Sequence, residues 1–209
     1  MSFQQEIEDI YRLKVPFEDI YTSVFLIKAE QGYVLVDCAT YTSDVDEHIL
    51  PTLCEFGLEL KNIKCLILTH KHSDHAGGLS RLLEHNPMLQ IVDKPTAIDI
   101  KGLTVYALKG HTMDSIGVLD TRSGTLISGD GLQGHGVGKY PCFLESKDEY
   151  IKTIDKIQKD KRIKNILFSH AYEPWNQDYA LGRKEVEKCL QDCVEYITRR
   201  DKNESNRNQ

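Results

Sequence analysis

No apolar run in this chain of 209 residues approaches the roughly 18 that a membrane-crossing helix needs. The opening Met1-Ser2-Phe3-Gln4-Gln5-Glu6 has no basic-then-apolar export pattern, so a cytoplasmic protein without a membrane partner is expected. Excess positive charge is also missing: the formal net charge is −6, which opposes a nucleic-acid partner. There are six cysteines but no CxxC pair, Cys189 and Cys193 standing four apart, and all are dispersed through core-like stretches; they read as free thiols. The glycine-rich stretch Gly131 to Pro141 lacks the GxxxxGK[ST] order of a phosphate loop, and no internal repeat is visible. What is there is ordinary globular composition, 40% hydrophobic and 28% charged. Residues 1–200 are expected to form one domain, followed by a polar, disordered tail over 201–209.

Hydrophobic periodicity organises the chain into strands followed by helices, twice over. Residues 1–19, with Ile7, Ile10 and Leu13 at helix-like spacing and then Pro16, form a short turn or lead-in strand. Tyr21 to Lys28 and Tyr33 to Asp37 read as a hairpin turned at Gly32. A helix over about 44–56, capped by Thr42 or Ser43 and stopped by Gly57, is followed by the strand 63–68 and a helix over 76–84. Strands are expected at 89–92, 97–100, 103–108, 115–121, up to 128 and at 163–168. Ser146 caps a helix over 147–159, and a last helix covers about 178–199.

The densest chemistry is Thr69-His70-Lys71-His72-Ser73-Asp74-His75, which leaves the end of one apolar strand and enters a helix at Ala76-Gly77-Gly78. In an extended loop, side chains two apart share a side, so His70 and His72 can grip one ion while the turn swings Asp74 and His75 towards a second. His48 and His85 sit on helices away from this loop and are not counted as ligands.

The loop resembles the HxHxDH signature of the metallo-β-lactamase superfamily, and three later strand ends match it: Gly110-His111-Thr112, Ser128-Gly129-Asp130 and Ser169-His170. The resemblance runs from about Tyr21 to His170. It implies an α/β fold, an αββα sandwich of two mixed sheets flanked by helices. It also implies one ion on His70, His72 and His111, a second on Asp74, His75 and His170, and Asp130 bridging. Asp37 would brace the histidine loop without touching metal, although Cys38-Ala39-Thr40 follows it where the family more often has Thr or Pro and a Gly. Five imidazoles, two carboxylates and no thiolate suit two zinc ions first, then iron or manganese.

The implied chemistry is hydrolysis of an ester-type bond by a metal-bridging hydroxide, with Asp74 and Asp130 the catalytic carboxylates. Flavodiiron members usually carry Glu where this chain has His72. The superfamily's nucleases add RNA-binding segments. Gly136-Val137-Gly138-Lys139-Tyr140 resembles the glutathione-thioester loop of glyoxalase II, which makes Lys139, Tyr140 and His135 the expected contacts to a small-molecule thioester or lactone. The usual helical domain of glyoxalase II has no counterpart in the 40 or so residues after His170. Two alternatives stand beside this reading: a mononuclear iron persulfide dioxygenase using His70, His111 and Asp130, and a catalytically silent metal-binding domain.

Overall fold

The computed structural model describes residues 1–132, 144–172 and 176–207, with side chains through residue 198. Two mixed sheets face each other. The first is six-stranded in the order β1 (Gln4–Ile7), β2 (Ile10–Phe17), β3 (Ile20–Ala29), β4 (Gly32–Val36), β5 (Ile63–Ile67) and β6 (Gln90–Val92). The second places β11 (Tyr179–Leu181), β10 (Asn165–Leu167), β9 (Thr125–Ile127), β8 (Ile116–Asp120) and β7 (Leu103–Ala107) side by side. β4, β5 and β6 run parallel, as do β9 and β10, and the other neighbours are antiparallel.

The alternation of strand side chains builds three apolar layers. Phe25 and Ile27 of β3, Val34 and Val36 of β4, and Cys65 and Ile67 of β5 meet Ile116, Val118, Ile127 and Leu167 between the sheets. The intervening Val24, Leu26, Leu35 and Leu66 face outward, where helical residues Val45, Ile49, Leu53 and Leu82 cover them. On the far side Leu119, Leu126 and Ile166 pack beneath Tyr150, Ile154 and Ile157 and beneath Val186, Leu190 and Ile197. Strands buried on both faces read as unbroken apolar runs for this reason, and the sandwich is the expected αββα arrangement.

Among the described residues the helices are α1 (Thr42–Asp44), a π-helical turn (Val45–Ile49), α2 (Leu50–Glu55), α3 (Ser73–Ala76), α4 (Leu79–His85), α5 (Lys147–Lys159) and α6 (Arg183–Arg207), with 3-10 turns at Leu60–Asn62 and Gly129–Gly131. Ser146 accepts from Glu149 N and caps α5 as expected. At α1 the cap residue is Tyr41 instead, and Asp44 accepts from the Thr40 and Tyr41 amides.

Four other expectations change. Residues 4–17 form the two strands β1 and β2 because Leu13 and Val15 fill one layer while Ile10 and Arg12 turn to the other. Residues 97–100 form no strand. The last helix starts later, at Arg183, because Gly182 adopts φ +83° after the short strand β11. It also continues to Arg207, so the tail expected to be disordered from Asp201 is helical through that residue; nothing between Arg183 and Arg207 is Gly or Pro.

Candidate metal centre

The expected brace and most of the side chains singled out for metal binding stand just past a strand, while Asp74 and His75 lie within α3 after the β5 loop. Asp37 follows β4, His70 follows β5, His111 follows β7, Asp130 follows β9 and His170 follows β10. Gly77 and Gly78 let α3 press against the chain after Asp37, since a Cβ on Gly77 would lie 1.7 Å from Thr40 O and one on Gly78 2.2 Å from Cys38 O. Gly129, at φ +54°, allows similar contact with Thr69.

The structure brings the seven donors together in two groups, His70, His72 and His111 in one, and Asp74, His75, Asp130 and His170 in the other. In the first, His72 Nδ1 lies 3.0 Å from His70 Nε2 and 3.1 Å from His111 Nε2. In the second, His75 Nε2 and His170 Nε2 are 3.1 Å apart, and Asp74 Oδ2 lies 3.4 and 3.2 Å from them. Asp130 stands between: Oδ1 is 3.5 Å from His75 Nε2 and 3.3 Å from His170 Nε2, while Oδ2 is 3.7 Å from His111 Nε2.

Hydrogen bonding behind the rings fixes which nitrogens face inward. His75 Nδ1 lies 2.7 Å from Asp37 Oδ2 and His170 Nδ1 lies 2.7 Å from the Tyr21 carbonyl, so each donates its Nδ1 proton and turns its Nε2 to the other. His70 Nδ1 rests 3.2 Å from Thr69 Oγ1, which itself donates to Asp37 Oδ2. Asp37 Oδ1 accepts from Thr69 N at 2.8 Å. The side chain expected to brace the loop therefore holds both its start and His75, and it does so from a left-handed backbone at φ +62° that Asp tolerates better than most residues. Thr69 was not anticipated; its place between the strand end and His70 was the available signal.

Burial lowers His70 to about 2, helped by the His75 charge, and keeps it a neutral imidazole. Burial would lower His75 and His170 too, but Asp130 outweighs it, with Asp37 assisting at His75 and Asp74 at His170, and both are raised. Burial would raise Asp74 and Asp130, yet hydrogen bonds from His170 and His75 hold Asp74 low, and the charges of His170 and His75 hold Asp130 well below the usual carboxylate range.

Divalent ions fit this donor set. Two anchored Nε2 atoms 3.1 Å apart need a cation between them, a proton where no metal is bound, which is how the raised His75 and His170 fit a metal site. Four ligands around zinc at 2.0–2.1 Å stand about 3.3–3.4 Å apart, near the spacings in both groups. Among the described residues the buried Asp130 Oδ1 has no hydrogen-bond partner, as expected of an oxygen that meets a metal. His135, Lys139 and Tyr140 lie outside the described residues.

Comparisons with known proteins point to the same fold. The sequence model of the metallo-beta-lactamase superfamily matches residues 18–99. Hydroxyacylglutathione hydrolase of Vibrio cholerae serotype O1 is 27% identical over 180 residues, covering 73% of this chain and 68% of that protein. An atrochrysone carboxyl ACP thioesterase of Pseudocercospora fijiensis is 27% identical over 130 residues, 55% of this chain and 38% of its own. The mono-zinc metallo-beta-lactamase FIM-1 of Pseudomonas aeruginosa superposes with a TM-score of 0.70 at 16% identity, over 93% of this chain and 95% of that one. The chain has the metallo-beta-lactamase fold and is glyoxalase II-like in sequence. The structure places the His70–His75 loop, His111, Asp130, His170 and Asp37 around one double cluster. None of the described helices is long and apolar enough to cross a membrane.

Proposed function

We propose that this metallo-beta-lactamase-fold chain is a binuclear metal-dependent hydrolase of a small-molecule thioester or lactone, working in the cytoplasm. The observation that carries the proposal is Asp130, whose two carboxylate oxygens point to different groups of histidines. His70, His72 and His111 would hold one ion, Asp74, His75 and His170 the other, and Asp130 both. Bound divalent ions, zinc first and iron or manganese next, acidify water and polarise a carbonyl, so no side-chain nucleophile is required.

The chain's own groups then divide the work. Asp74, with 16% of its side chain exposed against 8% for Asp130, is the cluster carboxylate we assign to receive a proton from water. Asp37 and the Tyr21 carbonyl keep His75 and His170 in the tautomer that leaves Nε2 free. Lys139, Tyr140 and His135, in the segment after the Asp130 turn, are the proposed substrate contacts on sequence grounds. Two relatives whose names denote thioester hydrolysis support a thioester over other esters.

Metal-free protein reloaded with zinc, iron or manganese and assayed on thioester and lactone panels tests the reading. Two equivalents should bind and restore turnover, and Asp130→Ala should lose both the second equivalent and more than about 99% of the activity. Oxygen consumption with a persulfide, or two-ion protein inert on every substrate, would overturn it.

A further inference from the structure

β3 is apolar from Val24 to Ile27, but two fully buried hydroxyl residues, Thr22 and Ser23, precede that run. Burying a hydroxyl is unfavourable unless it is bonded, and an apolar pair would cost less in a strand closed on both faces. Both hydroxyls are bonded, across long sequence separations, to the same half of the metal centre. Thr22 Oγ1 donates to the Asp74 carbonyl at 2.8 Å, and Ser23 Oγ donates to the carbonyl of Ser169, directly before His170, at 2.7 Å. The preceding residue, Tyr21, accepts from His170 Nδ1. Three consecutive residues of one strand therefore hold Asp74 and His170 from behind.

The same stretch is anchored at its other end. Tyr21 donates its phenolic proton to Asp178 Oδ2 at 2.5 Å, and the buried Arg12 of β2 pairs with that carboxylate. Arg12 Nη2 also donates to the Asp178 carbonyl, which accepts from Phe168 N two residues before His170. Among the described residues the His70 group has no bond from this stretch and is held through Thr69, whose hydroxyl donates to Asp37, while Asp37 itself also reaches His75.

We infer that Thr22 and Ser23 are positioning residues for the Asp74, His75 and His170 half of the centre, so that losing their hydroxyls weakens one metal-binding step and spares the other. The inference rests on the proposed reading that the seven side chains hold metal. A fixed backbone behind Asp74 and His170 sets the distance between their donor atoms; freed carbonyls let α3 and the end of β10 drift apart, which costs affinity at that half alone.

Zinc competition against a chromophoric chelator, with cobalt absorption as a second readout, resolves the two steps in wild type, and His170→Ala marks which step belongs to this half. Thr22→Val with Ser23→Ala should weaken the marked step about ten- to a hundredfold, with the other step within threefold. Thr22→Ser, which keeps the hydroxyl, should stay within threefold at both steps. Thermal unfolding of the metal-free proteins accompanies each titration; if the double variant does not fold, Ser23→Ala alone decides, with a loss of at least fivefold at the marked step expected. Equal weakening of both steps, no weakening of either, or a wild type that takes one ion would overturn the inference. No substrate enters the assay, so a protein that binds two ions yet hydrolyses nothing would remove the proposed function and leave this inference intact.

Discussion

Replacing Asp37 by Asn tests how far the site depends on a carboxylate that touches no metal. The side chain is fully buried and accepts three hydrogen bonds, from Thr69 N and Thr69 Oγ1 at 2.8 Å and from His75 Nδ1 at 2.7 Å. Asn has the same shape and accepts φ +62°, so backbone strain is not introduced. It has one acceptor oxygen where Asp has two. If that oxygen faces Thr69 Oγ1 and His75, the amide nitrogen opposes the Thr69 N–H. The two remaining bonds then lose their charge assistance, roughly 1 kcal/mol each, and an unsatisfied donor adds about 1–3 kcal/mol, giving a destabilisation of about 3–5 kcal/mol.

The other orientation spares stability at the expense of the centre. With the amide nitrogen towards His75, Nδ1 becomes an acceptor and the ring proton moves to Nε2, where it points at His170 Nε2 and at the space a cation would fill. Either way one measurement moves: urea unfolding of the metal-free variant falls by about 3–5 kcal/mol, or affinity for the ion on the His75 side falls about ten- to a hundredfold. Stability within about 0.5 kcal/mol and metal affinity within twofold of wild type, in the same variant, would refute the reasoning.

Three further outcomes are expected. Gly77→Ala should destabilise the fold by roughly 2–4 kcal/mol in chemical denaturation, since its Cβ would sit 1.7 Å from Thr40 O with only backbone to move; a neutral result would contradict the packing of α3. Burial alone would raise the Asp178 carboxyl, but Arg12, Lys14 and Tyr21 outweigh it and hold it low. Its contribution is therefore complete above the unfolded value of about 3.9 and is lost as pH falls through the lower folded value, so the stability gap between wild type and Asp178→Asn should be flat from pH 7 to about 5 and shrink below about 4. Burial, reinforced by the Asp37 charge, raises the Cys38 thiol, and burial pushes Cys65 up to about 11, whereas Cys54 is exposed. Brief alkylation near neutral pH should label Cys54 before the other four cysteines among the described residues and leave turnover of the metal-loaded protein unchanged; loss of activity in step with Cys54 labelling would implicate a thiol.

The parts of the centre that sequence made legible are those whose signal is local. His70, His72, Asp74 and His75 occupy one short loop, so their types and spacing carry the chemistry without knowledge of the fold. His111, Asp130 and His170 each follow an apolar strand, and Asp37 ends one, which suffices once the motif order is recognised. The supporting residues have no such signature. Thr22 is bonded to Asp74 and Ser23 to Ser169 across separations of 52 and 146 residues, and a Thr-Ser pair at the edge of an apolar run looks like an ordinary strand start.

Arg12 was hidden for a related reason. Ile10 and Arg12 share one face of β2, where the guanidinium lies over the Phe25 ring and pairs with Asp178 and Glu6, so a charged residue occupies a core position and breaks the alternation that would announce a strand. The spacing of Ile7, Ile10 and Leu13 then imitates a helix. At the other end Leu181 fits the stripe of α6, and only the positive φ of Gly182 separates it into β11. Both departures fall on the strands flanking Asp178, whose backbone carbonyl holds the Phe168 amide and whose carboxylate holds Tyr21. Local pattern fails there because Arg12 faces inward to meet the Asp178 carboxylate and carbonyl rather than to bury apolar surface.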